Sequence, residues 1–200
     1  SPQTALHVAG EIRAPKVNKV VVVDGTTYAQ TCAGINAAID ALGSGGGEVY
    51  LPQGTYTCAE QIVIDYDYTT IRGSGWATVI NVASQSFNVI YANTQDYVTL
   101  KDFKMIGSAG AGQSGDMINF AACSTNNVVE NLYLTNSDDI SIYMLGGNNT
   151  ITGNFISPSD NYAVYSAGNN NIITENRIIQ TADVMAMYSG GYWNNPTILL

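Results

Sequence analysis

Between Asn126 and Ile179 the chain repeats itself at a nearly fixed step, and few folds accommodate that. Asn126-Asn127-Val128-Val129-Glu130-Asn131 is followed by Asn149-Thr150-Ile151-Thr152-Gly153-Asn154, then by Asn171-Ile172-Ile173-Thr174-Glu175-Asn176. The leading asparagines lie 23 and then 22 residues apart, as do the closing ones. Two further registers keep that spacing. Ile142, Val164 and Met187 are each followed by a tyrosine (Tyr143, Tyr165, Tyr188), and Asp138, Asp160 and Asp183 recur at the same intervals. Three registers sharing one step identify a solenoid.

Each repeat is rich in Val, Ile, Tyr, Thr and Asn, in short alternating apolar runs with Gly or Asn at the corners. No heptad or helix-turn-helix pattern runs through it. That pattern predicts two or three short strands per coil, each paired in parallel with the coils above and below. Like residues then stack roughly 4.8 Å apart, and turn asparagines can pass amide hydrogen bonds from coil to coil. The expected fold is all-β, a right-handed single-stranded parallel β-helix with coils of ~22 residues.

Two hundred residues suit one domain with a sizeable core. The apolar fraction of 46% excludes a disordered chain. A net charge of −9, from 7 Lys plus Arg against 16 Asp plus Glu, lacks the basic clusters that nucleic acid requires. No apolar run approaches the roughly 18 residues of a membrane span, so no membrane insertion is expected. The three cysteines, Cys32, Cys58 and Cys123, have no metal-ligand spacing. Buried apolar thiols are the simplest reading, and a Cys32–Cys58 link is the alternative.

Residues 1–30 read as leader strands, with extended runs Leu6-His7-Val8 and Val20-Val21-Val22-Val23. The lone His7 is remote from the repeats and reads as a surface residue. The β-helix is expected over 31–200. Thr31 to Leu42 predicts a short amphipathic helix with Ile35, Ala38, Ile39 and Leu42 on one face and Gly43 as its stop. Laid across the first coil, it would cover the apolar end and strand edges that a solenoid leaves open. In the middle of the chain the coils lengthen, the excess gathering in the glycine-rich loop Gly107 to Gly115. At the other end the chain stops soon after Asn194-Asn195-Pro196 restarts a turn. Further chain or a partner is expected to cover that edge.

The stretch Gly45-Gly46-Gly47-Glu48-Val49-Tyr50-Leu51-Pro52-Gln53-Gly54-Thr55-Tyr56, with Thr70-Ile71-Arg72-Gly73-Ser74-Gly75-Trp76 and Thr78-Val79-Ile80, resembles the first coils of the pectate-lyase-like β-helix superfamily. The resemblance runs from about Thr31 to the end and implies fold more than activity, since the superfamily includes lyases, hydrolases, epimerases, tailspikes and inert binders. The leader phrase Ala5-Leu6-His7-Val8-Ala9-Gly10-Glu11-Ile12-Arg13 resembles the short strands that lead into phage fibre and tailspike domains. Ser137-Asp138-Asp139 is similar to the paired aspartates of the polygalacturonase branch, without the glycine and cysteine expected around them. That branch's Gly-His-Gly and Arg-x-Lys signatures are missing, and so is a lyase-type basic constellation.

Two columns carry the expected chemistry. Stacking would set Asp138, Asp160 and Asp183 roughly 5 Å and 10 Å apart, bracketing the separations used by retaining and inverting glycosidases. The same three carboxylates suit calcium, a hard cation that accepts several of them. The plain alternative is a row of Asx-turns at one corner. If Ile142, Val164 and Met187 face inward, Tyr143, Tyr165 and Tyr188 face outward and offer sugars a stripe of rings and hydroxyls, with small Ser141, Ala163 and Ala186 beside them. An aromatic ladder within the sheet or at a subunit interface is the competing reading.

Three functions follow as expectations. The first is an extracellular or virion-surface protein, tailspike-like and homotrimeric, that recognises polysaccharide. The second is a polysaccharide-degrading hydrolase or lyase working from Asp138, Asp139, Asp160 and Asp183. The third is a purely structural fibre or filament subunit.

Overall fold

In the computed structural model the described residues wind as a right-handed parallel β-solenoid of about six turns, with one short helix among them. The structure describes residues 19–108, 114–121, 123–157 and 159–179, and the strands Met187–Ser189 and Thr197–Leu199 by backbone alone. The leader phrase around His7, most of the glycine-rich loop, Asp183 and the turn at Asn194 lie outside the described residues.

Every coil lays one strand in each of three sheets. The first sheet has eight strands, from Val20–Val22 to Thr197–Leu199. The second has six, from Gly54–Cys58 to Arg177–Ile178, and the third six, from Ile62–Val63 to Met187–Ser189. All pairings are parallel. Equivalent residues stack in register, which builds the interior as columns: Ile71, Leu100, Val129, Ile151 and Ile173 in the first sheet, Ile80, Met105, Leu134 and Ile156 in the second. Ile90, Ile118, Ile142 and Val164 form the third column. All of these side chains are buried. The strand run Val20–Val22 pairs with Glu48–Tyr50 and so belongs to the first sheet.

Left-handed backbone turns the corners. Tyr68, Tyr97, Asn126, Asn148 and Asn170 hold φ of 57–59° at the corner entering the first sheet. Asp102, Asn131, Gly153 and Glu175 hold φ of 52–65° at the corner leaving it. Asparagine tolerates this conformation best among residues with a side chain, which accounts for much of the asparagine content.

Beside each corner runs an asparagine ladder. The Oδ1 of Asn149 accepts the Asn127 N–H at 2.8 Å, and the Oδ1 of Asn171 accepts the Asn149 N–H at 2.8 Å. Their amide groups donate to Ser124 and Gly146 carbonyls. At the second corner the Leu132 N–H donates to Asn154 Oδ1, and the Asn154 N–H to Asn176 Oδ1. The ladder members are therefore Asn127, not Asn126, and Leu132, not Asn131. The coil here is a uniform 22 residues. The apparent first step of 23 arose because the αL asparagines Asn126 and Asn131 sit immediately before the true positions.

The helix forms where expected, over Cys32–Leu42, with Thr31 Oγ1 accepting the Gly34 N–H at 3.1 Å as its N-cap. Its buried face (Ile35, Ala38, Ile39, Leu42) packs on first-coil strands of all three sheets, closing the N-terminal end of the core. Asn36 fixes it laterally, donating to the Gln61 carbonyl and accepting the Val63 N–H. The cysteines are not three buried thiols, because the helix brings two of them together. Cys32 and Cys58 form a disulfide across a Cα–Cα distance of 4.9 Å, and Cys123 is an exposed free thiol.

The ladder makes a quantitative prediction. Asn149→Ala removes a buried acceptor and donor, leaving the Asn127 N–H and the Ser124 carbonyl without them. Urea denaturation should show a loss of about 2–4 kcal/mol. The outward Thr150→Ala should cost under about 1 kcal/mol.

Candidate functional site

On the outer face of the third sheet, one column runs Tyr91, Asn119, Tyr143, Tyr165, Tyr188. Alternation produces it: Ile142 and Val164 fill the core, so the residues after them point out. The rings of Tyr143 and Tyr165 stack with centroids 4.8 Å apart and planes 22° apart. Tyr162 meets Tyr165 edge-on at 5.9 Å. The expected stripe is thus present at Tyr143 and Tyr165, and Tyr188 continues its register by backbone. Ser141 and Ala163 do not lie open beside it, because both are fully buried. The corner folds over them, and Ser141 hydrogen-bonds Ser159.

The corner entering this sheet carries the acids. A parallel bridge pairs Ser137 with Ser159, and the Asp160 N–H donates to the Ser137 carbonyl at 3.0 Å. Asp138 and Asp160 therefore occupy equivalent positions on adjacent coils, as the repeat predicts. Their surroundings differ: Asp138 is 5% exposed, whereas Asp160 stands in solvent. The Asp138 N–H donates to Gln85 Oε1, which also accepts the Ser108 N–H, while Gln85 Nε2 donates to the Gly115 carbonyl. This buried glutamine ties the corner to the neighbouring coils. Asp139 is half-buried and accepts from Asn161 Nδ2 at 2.9 Å, one coil on. Among the described residues no group of three or more His, Cys, Asp or Glu is placed to hold a metal ion, and Asp183 lies outside them.

Sequence reasoning missed Asp116. It stands two residues before Ile118, level with Ile140 in the next coil, whose carbonyl accepts the Met117 N–H. The aspartate register is therefore offset from it, and the longer coil hid its place. Asp116 is buried and accepts from Asn119 Nδ2 at 2.7 Å. Burial pushes its carboxyl up to about 6, the Asn119 hydrogen bond opposes this, and the Asp139 charge adds to it. Asn119 is 9% exposed, and its Oδ1 has no hydrogen-bond partner. Tyr143 is likewise raised, first by burial and then by the charges of Tyr165 and Asp116. The third-sheet face and the corner entering it thus carry rings and two carboxyl–carboxamide pairs (Asp116–Asn119, Asp139–Asn161), the first with its carboxyl raised by burial.

Asp116 binds its proton more tightly in the folded chain than in the unfolded one. Stability should therefore fall as pH rises from about 4 to about 6, on the order of 2–3 kcal/mol for this group. Denaturant midpoints measured across that range should flatten in Asp116→Asn. An unchanged slope would contradict the assignment.

Residues 21–109 match the family model described as rhamnogalacturonase A/epimerase, pectate lyase-like. No curated protein and no solved structure gave a significant match. The family match and the three-sheet coil together support the pectate-lyase-like parallel β-helix superfamily.

Proposed function

We propose that this pectate-lyase-like β-helix recognises polysaccharide on the outer face of its third sheet. The stacked Tyr143–Tyr165 pair, with Asp139–Asn161 on the corner that leads into the same strands, carries the reading. Sugars present alternating apolar C–H faces and hydroxyl edges. Tyrosine offers apolar surface with a hydroxyl tip, and a planar carboxylate–amide pair supplies acceptors and donors in fixed directions. Repetition at strand spacing suits a repeating polymer. The setting we favour is a virion or cell surface, with the chain acting as a homotrimeric, tailspike-like receptor-binding element.

A second reading, cleavage, is favoured by one feature: the buried Asp116, whose carboxyl burial pushes up to about 6, within the field of Asp139. A carboxyl raised to about 6 can donate a proton to a leaving glycosidic oxygen, while the neighbouring Asp139 supports attack at the anomeric carbon. In this reading Asp116 is the acid and Asp139 the base or nucleophile.

A panel of bacterial and plant polysaccharides, scored for retention and for new chain ends together, tests both. Tyr143→Ala and Tyr165→Ala should each weaken retention about 5- to 30-fold. Unchanged retention would sink the recognition reading. If chain ends appear, Asp116→Asn should remove nearly all of them, and the rate should decline above pH of about 6. Light scattering on the same sample reports whether the chain is trimeric.

A further inference from the structure

The corner entering the first sheet uses asparagine at Asn126, Asn148 and Asn170, yet tyrosine at Tyr68 and Tyr97, all at φ of 57–59°. A bulky side chain at positive φ is strained, and the later coils show that the turn itself does not need a ring. The two rings stack almost parallel, centroids 4.9 Å apart and planes 3° apart, and are 51% and 49% exposed. Stacking recovers part of the strain. It does not account for choosing exposed aromatic residues at this corner.

Beside Tyr68 lies a cavity of about 270 Å³, lined by Val20, Gly47, Glu48, Tyr68 and Thr70. Glycine is required along its edge, where neighbouring backbones approach closely. A Cβ on Gly47 would meet the Lys19 carbonyl oxygen at 2.4 Å, and one on neighbouring Gly46 the Tyr68 carbonyl oxygen at 2.7 Å. Glu48 Oε1 accepts from Arg72 Nη2 at 2.7 Å, and the Arg72 guanidinium lies 4.3 Å from the Tyr50 ring centroid. The carboxylate is thereby held in one direction at the cavity wall, near the Thr70 hydroxyl.

We propose that this cavity binds a single neutral pyranose unit, its apolar face against Tyr68 and its hydroxyls toward Glu48 and Thr70. The volume falls just under the roughly 300–1,000 Å³ of sites for drug-sized ligands, which suits one ring and not an oligomer. A net charge of −9 disfavours uronates and other acidic sugars, and the Arg72 guanidinium that could attract them is already paired with Glu48. The site lies on the first sheet, apart from the third-sheet face, and does not depend on the function proposed for that face.

Saturation-transfer NMR on the full chain, with methyl glucoside, methyl galactoside, methyl mannoside and galacturonate as probes, tests this. At least one neutral glycoside should bind and galacturonate should not. Tyr68→Asn copies the residue that later coils carry at this corner, so it removes the ring without straining the turn. It should weaken binding at least tenfold with no loss of Tm. Thr70→Val, an isosteric change on an outward strand position, should weaken it several-fold and serves if Tyr68→Asn is unstable. Binding that survives both variants, or preference for galacturonate, overturns the proposal. Glycoside binding lost in Tyr165→Ala but kept in Tyr68→Asn would place the sugar on the third sheet, and only the corner site would fall. If no glycoside binds while polysaccharide is retained, the corner site again fails alone.

Discussion

Parallel pairing of each strand with its equivalent one coil away is the constraint from which the rest follows. In this geometry every interior backbone group finds its partner on the neighbouring coil, and every side chain finds its own counterpart roughly 4.8 Å away. Identity at one position therefore propagates along the whole length. Aliphatic columns, asparagine ladders and stacked rings are one rule applied to different residue types. The ladders matter most at the corners, where the strand hydrogen bonds lapse and side-chain amides take their place.

The rule also explains where chemistry gathers. Outward positions of the third sheet need not fill the core, so Tyr143 and Tyr165 stack there, with Asn119 one coil earlier in the same column. The corner before that sheet is broader than the two αL corners and is held by buried polar contacts from Gln85 and Ser159. Burying polar groups this way fixes the carboxylates in unlike surroundings. Asp138 is enclosed, Asp160 is solvated, and Asp116 is buried against the Asn119 amide with its carboxyl pushed up to about 6. A single corner thereby holds carboxyls in three different surroundings.

Much of this was legible in the residues. The recurrence of Ile142 and Val164, each followed by a tyrosine, encoded both the core column and the ring stack. The helix showed itself through the spacing of Ile35, Ala38, Ile39 and Leu42. The ladder was legible in kind but shifted by one at its first step, because Asn126 and Asn127 are alike in letter and opposite in duty. One turns the chain and the other crosses to the next coil. Asp116 escaped because it belongs to a coil lengthened by the glycine-rich loop, where counting from the repeats loses register. The split between Asp138 and Asp160 was hidden because equivalent backbone positions say nothing of what covers each side chain. The Cys32–Cys58 pairing depends on how the helix lies over the first coil, a tertiary fact that spacing along the chain does not carry.

The register can be tested by cross-linking on the outer face of the first sheet, where Thr152 pairs with Thr174. In a Cys123→Ser background, Thr152→Cys with Thr174→Cys places two thiols on neighbouring strands at a spacing a disulfide can bridge. Mild oxidation should cross-link this pair nearly completely, while Thr150→Cys with Thr174→Cys, two positions out of step, should stay reduced. Equal cross-linking of both pairs, or preference for the offset one, would contradict the 22-residue coil and the site built on it.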